Sequence, residues 1–282
     1  MEKSARFSIG TQSVKVVSED PDFLKDMENL LLPFRKRGGG REKVSFRVLF
    51  STKERGEADS YSILQDDKEV FLTDDPFRLV FRLEWLVVRL LLKGSDFFQL
   101  HSGVVVKEGK AILFPAEANS GKSTLTVALS QDGFQIYSDE VALIDPASFL
   151  VHPFPRNIHI DPDMKEVFSH RGYPLKFRNF CWKKLKGDNL ELPWTKSDSK
   201  KMASKVKFII FPKYSSEHTN RLYPLTSGEA FINLMENEIN FNRFRAKGMD
   251  VVEGLLKGAD CYRLETGDLG DATDLIKKVF DS

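Results

Sequence analysis

One run of nine residues, Ala116-Glu117-Ala118-Asn119-Ser120-Gly121-Lys122-Ser123-Thr124, constrains this chain more than any other feature. An apolar run, Ala111-Ile112-Leu113-Phe114, comes directly before it, and an apolar-periodic stretch through Leu125 and Leu129 follows. Strand, short Gly/Ser loop and helix in that order are the setting in which backbone N–H groups turn inward to meet phosphate oxygens. Each position then has a physical task. Gly121 lets the chain approach an anion closely. Lys122 offers a positive charge to β- and γ-phosphates, and the Ser123 hydroxyl offers an oxygen to Mg²⁺. The helix that begins here points the positive end of its dipole at the anion. Ala116 stands where this pattern usually has its first glycine. If φ is positive there, the methyl costs about 1 kcal/mol.

Two further elements can serve the same site. Ser138-Asp139-Glu140 ends an apolar run, Phe134-Gln135-Ile136-Tyr137. Of two adjacent acids at a strand end, one can hold Mg²⁺ and the other can accept a proton from an attacking hydroxyl; a polar turn between two strands is the plainer reading. His101 ends the run Phe98-Gln99-Leu100-His101, and a second run, Gly103-Val104-Val105-Val106, follows. A reversal at Lys107–Lys110 would pair Gly103–Val106 with Ala111–Phe114 and bring His101 to the loop, within reach of an acid or the γ-phosphate. The other histidines make no ligand-spaced cluster, so no structural zinc is expected.

The rest of the chain fits an α/β core preceded by a smaller α+β region. Short apolar runs at Phe7–Ile9, Val14–Val17, Val44–Phe50, Tyr61–Leu64 and Val70–Leu72 read as strands, with a helix at Pro21–Leu32. Asp75 and Pro76 open a bridging helix as N-cap and first helical residue; Arg78, Arg82, Arg89 and Lys93 fall near one of its faces. This places an N-terminal region at 1–94 and a second domain at 95–282. Residues 171–205 form a Lys/Arg-rich insertion, read as a solvated stretch or one facing a phosphate or acidic substrate, and 35–41 a basic loop, read as a solvated turn or a nucleic-acid or phosphate contact. Val206–Phe211 returns as a core strand, Thr226-Ser227-Gly228-Glu229 spells a capping box, and Ala272, Leu275, Ile276 and Val279 give a last amphipathic helix.

Composition excludes several classes. With 42 Lys+Arg against 41 Asp+Glu, the net charge is +1, which gives no electrostatic case for nucleic acid as a partner. Two cysteines, Cys181 and Cys261, support neither a disulfide framework nor a cysteine-rich metal site. The start lacks the apolar stretch of a secretory signal, and the most apolar segment, Phe77–Leu92, carries charges that are costly at membrane depth. A cytoplasmic protein without a membrane partner is expected.

Leu100–Val106, Ala116–Thr124 and Gly133–Glu140 together resemble the bacterial HPr kinase/phosphorylase fold, and more closely the HPr kinase-related proteins, whose recurring Glu-Trp pair is matched by Glu84-Trp85. The resemblance covers about residues 80–160. It implies a P-loop kinase core, itself similar to the nucleotide-binding part of phosphoenolpyruvate carboxykinase. It implies ATP and Mg²⁺ as cofactors and transfer of the γ-phosphoryl group to a serine or other hydroxyl of a protein, peptide or small molecule. Relatives in peptide-modifying pathways add a ribosomal precursor peptide to that range. Related enzymes form hexamers, which leaves a homo-oligomer open. His101 matches the family histidine that assists proton transfer. Asp139-Glu140 stands where the family has Asp-Asp, which implies Glu140 as general base and Asp139 as the residue that orients metal or nucleophile; the longer reach of Glu leaves the two roles exchangeable. The family's Glu-Ile-Arg-Gly signature is absent. The corresponding stretch, His152-Pro153-Phe154-Pro155-Arg156-Asn157-Ile158-His159-Ile160-Asp161, offers Arg156 to a phosphate or to an ion pair. These departures count against HPr as acceptor and against phosphorylase activity. Two other classes stay open: a nucleotide-binding regulatory or scaffold protein without transfer activity, and a carboxykinase-like enzyme acting on a small carboxylic acid. No Asn-Lys-x-Asp guanine signature supports a GTPase.

Overall fold

The short apolar runs before residue 75 are strands, each reaching beyond its apolar centre. A computed structural model describes residues 2–9, 12–35, 44–51, 59–117, 120–154, 156–160, 176–178, 180–185, 189–192, 202–214 and 220–282. The chain divides into two units, Met1–Ser95 with Phe177–Asn189, and Asp96–Lys176 with Leu190–Ser282. It is a mixed α/β protein.

The first unit holds a five-stranded sheet in the order β1 (Lys3–Ile9), β2 (Gln12–Ser18), β3 (Val44–Ser51), β4 (Ser60–Gln65), β5 (Lys68–Thr73). Only the β2–β3 pairing is parallel, and the crossover between those strands is α1 (Pro21–Leu30). The helix expected to Leu32 ends at Leu30, and Leu32–Phe34 makes a 3₁₀ turn instead, because Pro33 has no N–H for a further helical bond. α2 (Pro76–Lys93) starts as its sequence specifies: the Asp75 carboxylate accepts from the Phe77 and Arg78 amides at 2.8 and 3.3 Å. Its apolar stripe, Leu79, Val80, Leu83, Val87, Val88 and Leu91, is buried, and its arginines remain on the exposed side. Trp182 from the second part of this unit packs edge-on against Phe23 and Tyr61, at ring separations of 5.2 and 5.6 Å. Asp26 of α1 is buried with 1% exposure. Its carboxylate accepts the backbone N–H groups of Cys181 at 2.9 Å and Trp182 at 2.8 Å, which satisfies a charge that would be costly alone.

The second unit is built on an eight-stranded sheet. Its strands are β6 (Phe98–Lys107), β7 (Lys110–Pro115), β8 (Gln135–Ser138), β9 (Val141–Ile144), β10 (Leu150–His152), β14 (Ser204–Tyr214), β15 (Arg221–Pro224) and β16 (Asp260–Thr266). Between β10 and β14 lie β11 (Ile158–Ile160), β12 (Lys176–Arg178) and β13 (Asn189–Leu192), of which β11 and β13 pair antiparallel. The central strands read as unbroken apolar runs because both faces are covered. On one face Val104, Val106, Leu113 and Ile209 pack against α4 (Ser227–Glu236) and α6 (Ala246–Gly258). On the other, Val105, Ile112, Phe114 and Ile210 pack against α3 (Lys122–Ser130) and α7 (Leu269–Phe280). The short α5 (Phe241–Phe244) leads into α6. The expected capping box is present: Thr226 Oγ1 accepts from the Glu229 amide at 3.3 Å, and the Glu229 carboxylate accepts from the Thr226 amide at 2.9 Å.

Two connections decide the architecture. β10 pairs with β9 through Val151 and Ile144 and with β14 through Val151 and Ser204, so β10, β9, β6, β7 and β14 form a closed ring of strands. Beyond a bulge at Val206/Phe208, β14 takes β16 as its parallel neighbour, starting at Phe208 and Asp260. No helix among the described residues is long and apolar enough to cross a membrane.

Candidate active site

The site is assembled around the middle of β6. The sequence suggested two strands there, broken at Ser102-Gly103; the structure has one, Phe98–Lys107. The glycine serves packing rather than a turn. A Cβ on Gly103 would stand 3.1 Å from Thr126 Cγ2, so α3 packs closely against the strand at the point where the side chain is missing. The expected hairpin forms, with Gly103 opposite Phe114 and Val106 opposite Ala111. Its turn residues Glu108 and Gly109 both have positive φ, 52° and 72°, the backbone that matches strand twist in a two-residue turn.

On its other side β6 changes neighbours halfway. Phe98–His101 pairs with β9, and Val104–Val106 pairs with β8. Asp139 and Glu140 occupy the gap between these two strands. Ser138 Oγ accepts from the Glu140 and Val141 amides at 3.1 and 2.9 Å, and the Glu140 carbonyl accepts from the Ser102 amide at 3.0 Å. The acid pair is thus tied to the strand break and does not ride on a free turn.

The motif loop leaves the end of β7 beside it. The Ala116 amide donates to the His101 carbonyl at 3.4 Å. Ala116 is not among the residues with a left-handed φ, so its methyl carries no left-handed penalty. Ala118 and Asn119 lie outside the described residues. Gly121, at φ 87°, caps the first turn of α3, a conformation that a side chain would strain. Lys122 is buried, and its ammonium donates to the Ala116 carbonyl at 2.8 Å, the Glu117 carbonyl at 2.5 Å and Ser120 Oγ at 3.4 Å. Burial lowers the Lys122 pKa to about 8, against the pull of Asp139 and Glu117, which favour the charged form. Thr124 lies in the first turn of α3.

The two acids separate. Asp139 is buried, and its carboxylate accepts from Ser123 Oγ at 2.9 Å. The Glu140 carboxylate instead meets the guanidinium of Arg156. The structure therefore brings Ser123, Lys122 and Asp139 together at the start of α3, and Glu140 together with Arg156. His101 lies near Lys122, Asp139 and Glu117, and its backbone amide donates to the Asn237 carbonyl at 2.7 Å. Burial and then the Lys122 charge lower its pKa, with Asp139 and Glu117 opposing, so its neutral imidazole is favoured. Asn237 is a site residue that sequence reading missed. It ends α4, far along the chain, and no local pattern marks it. No group of three or more metal-ligating side chains exists among the described residues, and Cys181 and Cys261 are unpaired thiols.

Comparison with known proteins adds little. No family model matches the chain, and no curated protein matches it. Solved structures do, among them the HPr(Ser) kinase/phosphatase from Coxiella burnetii, at 13% sequence identity and a TM-score of 0.29, over 65% of this chain and 94% of that one. A match at this level is a distant structural relationship and assigns no activity.

Proposed function

We propose that this protein is an ATP-dependent kinase that transfers the γ-phosphoryl group to a serine or other hydroxyl acceptor on a protein, peptide or small molecule. The observation that carries the reading is the contact of Ser123 Oγ with Asp139 Oδ2 at 2.9 Å beside the buried Lys122 ammonium. A hydroxyl and a carboxylate at the start of a helix, next to a lysine, form a hard-oxygen pair beside a fixed cation. The oxygens fit Mg²⁺, which takes such ligands; when bound, the ion neutralises charge on the phosphates.

The chain's own residues supply the remainder. The amides at the start of α3 and Lys122 would bind and orient the polyphosphate and stabilise charge on the phosphoryl group as it moves. Lys122 would exchange the Ala116 and Glu117 carbonyls for phosphate oxygens. Glu140, more exposed than Asp139, would take the acceptor proton. His101, neutral and adjacent, would share a hydrogen bond with the acceptor or the phosphate. This gives the two acids the order in which the family resemblance places them: Asp139 toward the metal and Glu140 as base.

Incubation with γ-labelled ATP, Mg²⁺ and lysate of the source cell, comparing wild type with Lys122→Ala, tests the reading. Labelled product should fall about a thousandfold in the variant, the scale of losing one preorganised charge-stabilising group. Equal labelling by the two proteins rejects the mechanism. ATP binding with no Lys122-dependent product would instead select nucleotide binding without transfer.

A further inference from the structure

Arg156 stood in the sequence as a phosphate contact or an ion-pair residue, and its surroundings narrow that choice. Its backbone is anchored: the Arg156 amide donates to the Phe154 carbonyl at 2.8 Å, and the Phe154 amide donates to the Tyr137 carbonyl of β8 at 2.9 Å. Phe154 is itself buried, at 1% exposure. Glu140 is anchored as firmly, through Ser138 Oγ and the Ser102 amide. Two anchored backbones thus present side chains that meet.

The arginine side chain is 14% exposed and that of Glu140 36%. A pair with one partly open member is a weak source of stability, because water competes for the carboxylate. Orientation is the larger effect. Glu has three rotatable side-chain bonds, and a planar guanidinium fixes a carboxylate more closely than an ammonium does.

We propose that Arg156 is the positioning residue for Glu140: it fixes the carboxylate that receives the acceptor's proton, so phosphoryl transfer depends on Arg156 and nucleotide binding does not. The proposal rests on the kinase reading above. In the step concerned, the acceptor oxygen bonds to the γ-phosphorus as the bond from that phosphorus to the β,γ-bridging oxygen breaks. The acceptor's proton passes to a Glu140 oxygen and later to water, and ADP leaves.

The test is initial-rate labelling by the full chain with γ-labelled ATP, Mg²⁺ and source-cell lysate as acceptor, for Arg156→Ala, Arg156→Lys, Glu140→Gln and the double variant Arg156→Ala/Glu140→Gln, with melting curves for each. Arg156→Ala should lower the apparent kcat about 10- to 100-fold, up to the low end of what a general base contributes, with the KM for ATP within about twofold. Arg156→Lys should fall between it and wild type, and added methylguanidine should restore part of the Arg156→Ala rate. In the Glu140→Gln background, removing Arg156 should cost nothing further, because the two act as a unit. Losses that multiply in the double variant, or an unchanged or raised apparent kcat in Arg156→Ala, overturn the proposal. Lys122-dependent transfer that survives Arg156→Ala defeats this proposal alone, whereas its absence in wild type defeats the kinase reading as well.

Discussion

Each unit of the molecule buries an aspartate, and the two are satisfied in different ways. Asp26 of the first unit accepts two backbone amides, those of Cys181 and Trp182. Asp139 of the second accepts a single side-chain hydroxyl, Ser123. Backbone donors are permanent, so Asp26 is committed to holding a chain segment in place. A serine hydroxyl can rotate away or turn its lone pairs toward a cation, so Asp139 keeps capacity for something else. What a buried charge is bonded to therefore separates structure from function better than burial itself.

The sharpest way to break this comparison is to remove both acids. Asp26→Ala should destabilise the first unit by about 3 kcal/mol, since two amides lose a charged acceptor in the interior, and should leave nucleotide affinity unchanged. Urea unfolding and a fluorescent ATP analogue measure the two quantities. Asp139→Ala should do the opposite: affinity for nucleotide with Mg²⁺ falls about 10- to 100-fold, and stability moves by about 1 kcal/mol or less. If Asp139→Ala unfolds the protein as readily as Asp26→Ala, the distinction fails.

A smaller effect sharpens the point. The folded pKa of Lys122 is lowered to about 8 from an ordinary 10.5. The unfolded chain therefore binds more protons between those values, and stability from this group rises with pH across that window. Nucleotide binding runs the other way. Phosphate oxygens favour the ammonium, so affinity is full below pH 8 and declines above it, by at most about tenfold per pH unit. Titration calorimetry in buffers of different ionisation enthalpy should detect proton uptake on binding near pH 8 to 9. Binding without uptake there would remove Lys122 from the phosphate site.

Much of this arrangement was legible in the residues. Asp75-Pro76 marked the start of α2, and Thr226 with Glu229 marked α4, because capping is local chemistry. The strand before the motif and the helix after it were equally plain. Ser102-Gly103 misled because a glycine that admits a neighbouring helix looks the same as one that turns the chain. β10, β16 and α6 escaped notice because their short apolar patterns gain meaning only from distant partners. The separation of Asp139 from Glu140 was hidden for the same reason: it depends on β6 exchanging β9 for β8, and on a later segment returning with Arg156. Residues 36–41 and, in the basic segment 171–205, Lys186, Lys200 and Lys201 lie outside the described residues, whereas Lys184 is paired with Asp59.

The ring of strands has a consequence for how such a chain can diversify. The polypeptide departs the ring just after Val151 and rejoins it at Ser204, and these two residues are cross-strand partners. Both ends of the intervening segment are thus tied at neighbouring points, like a rope made fast to a single cleat, and its Cys181–Trp182 stretch is tied a second time, to Asp26. Lengthening that loop is cheap, about 0.6 kcal/mol for each doubling of its span, and no strand of the ring has to shift register. Insertions or deletions in this segment, away from the stretch that carries Cys181 and Trp182 to Asp26, can therefore leave the motif helix seated on β6.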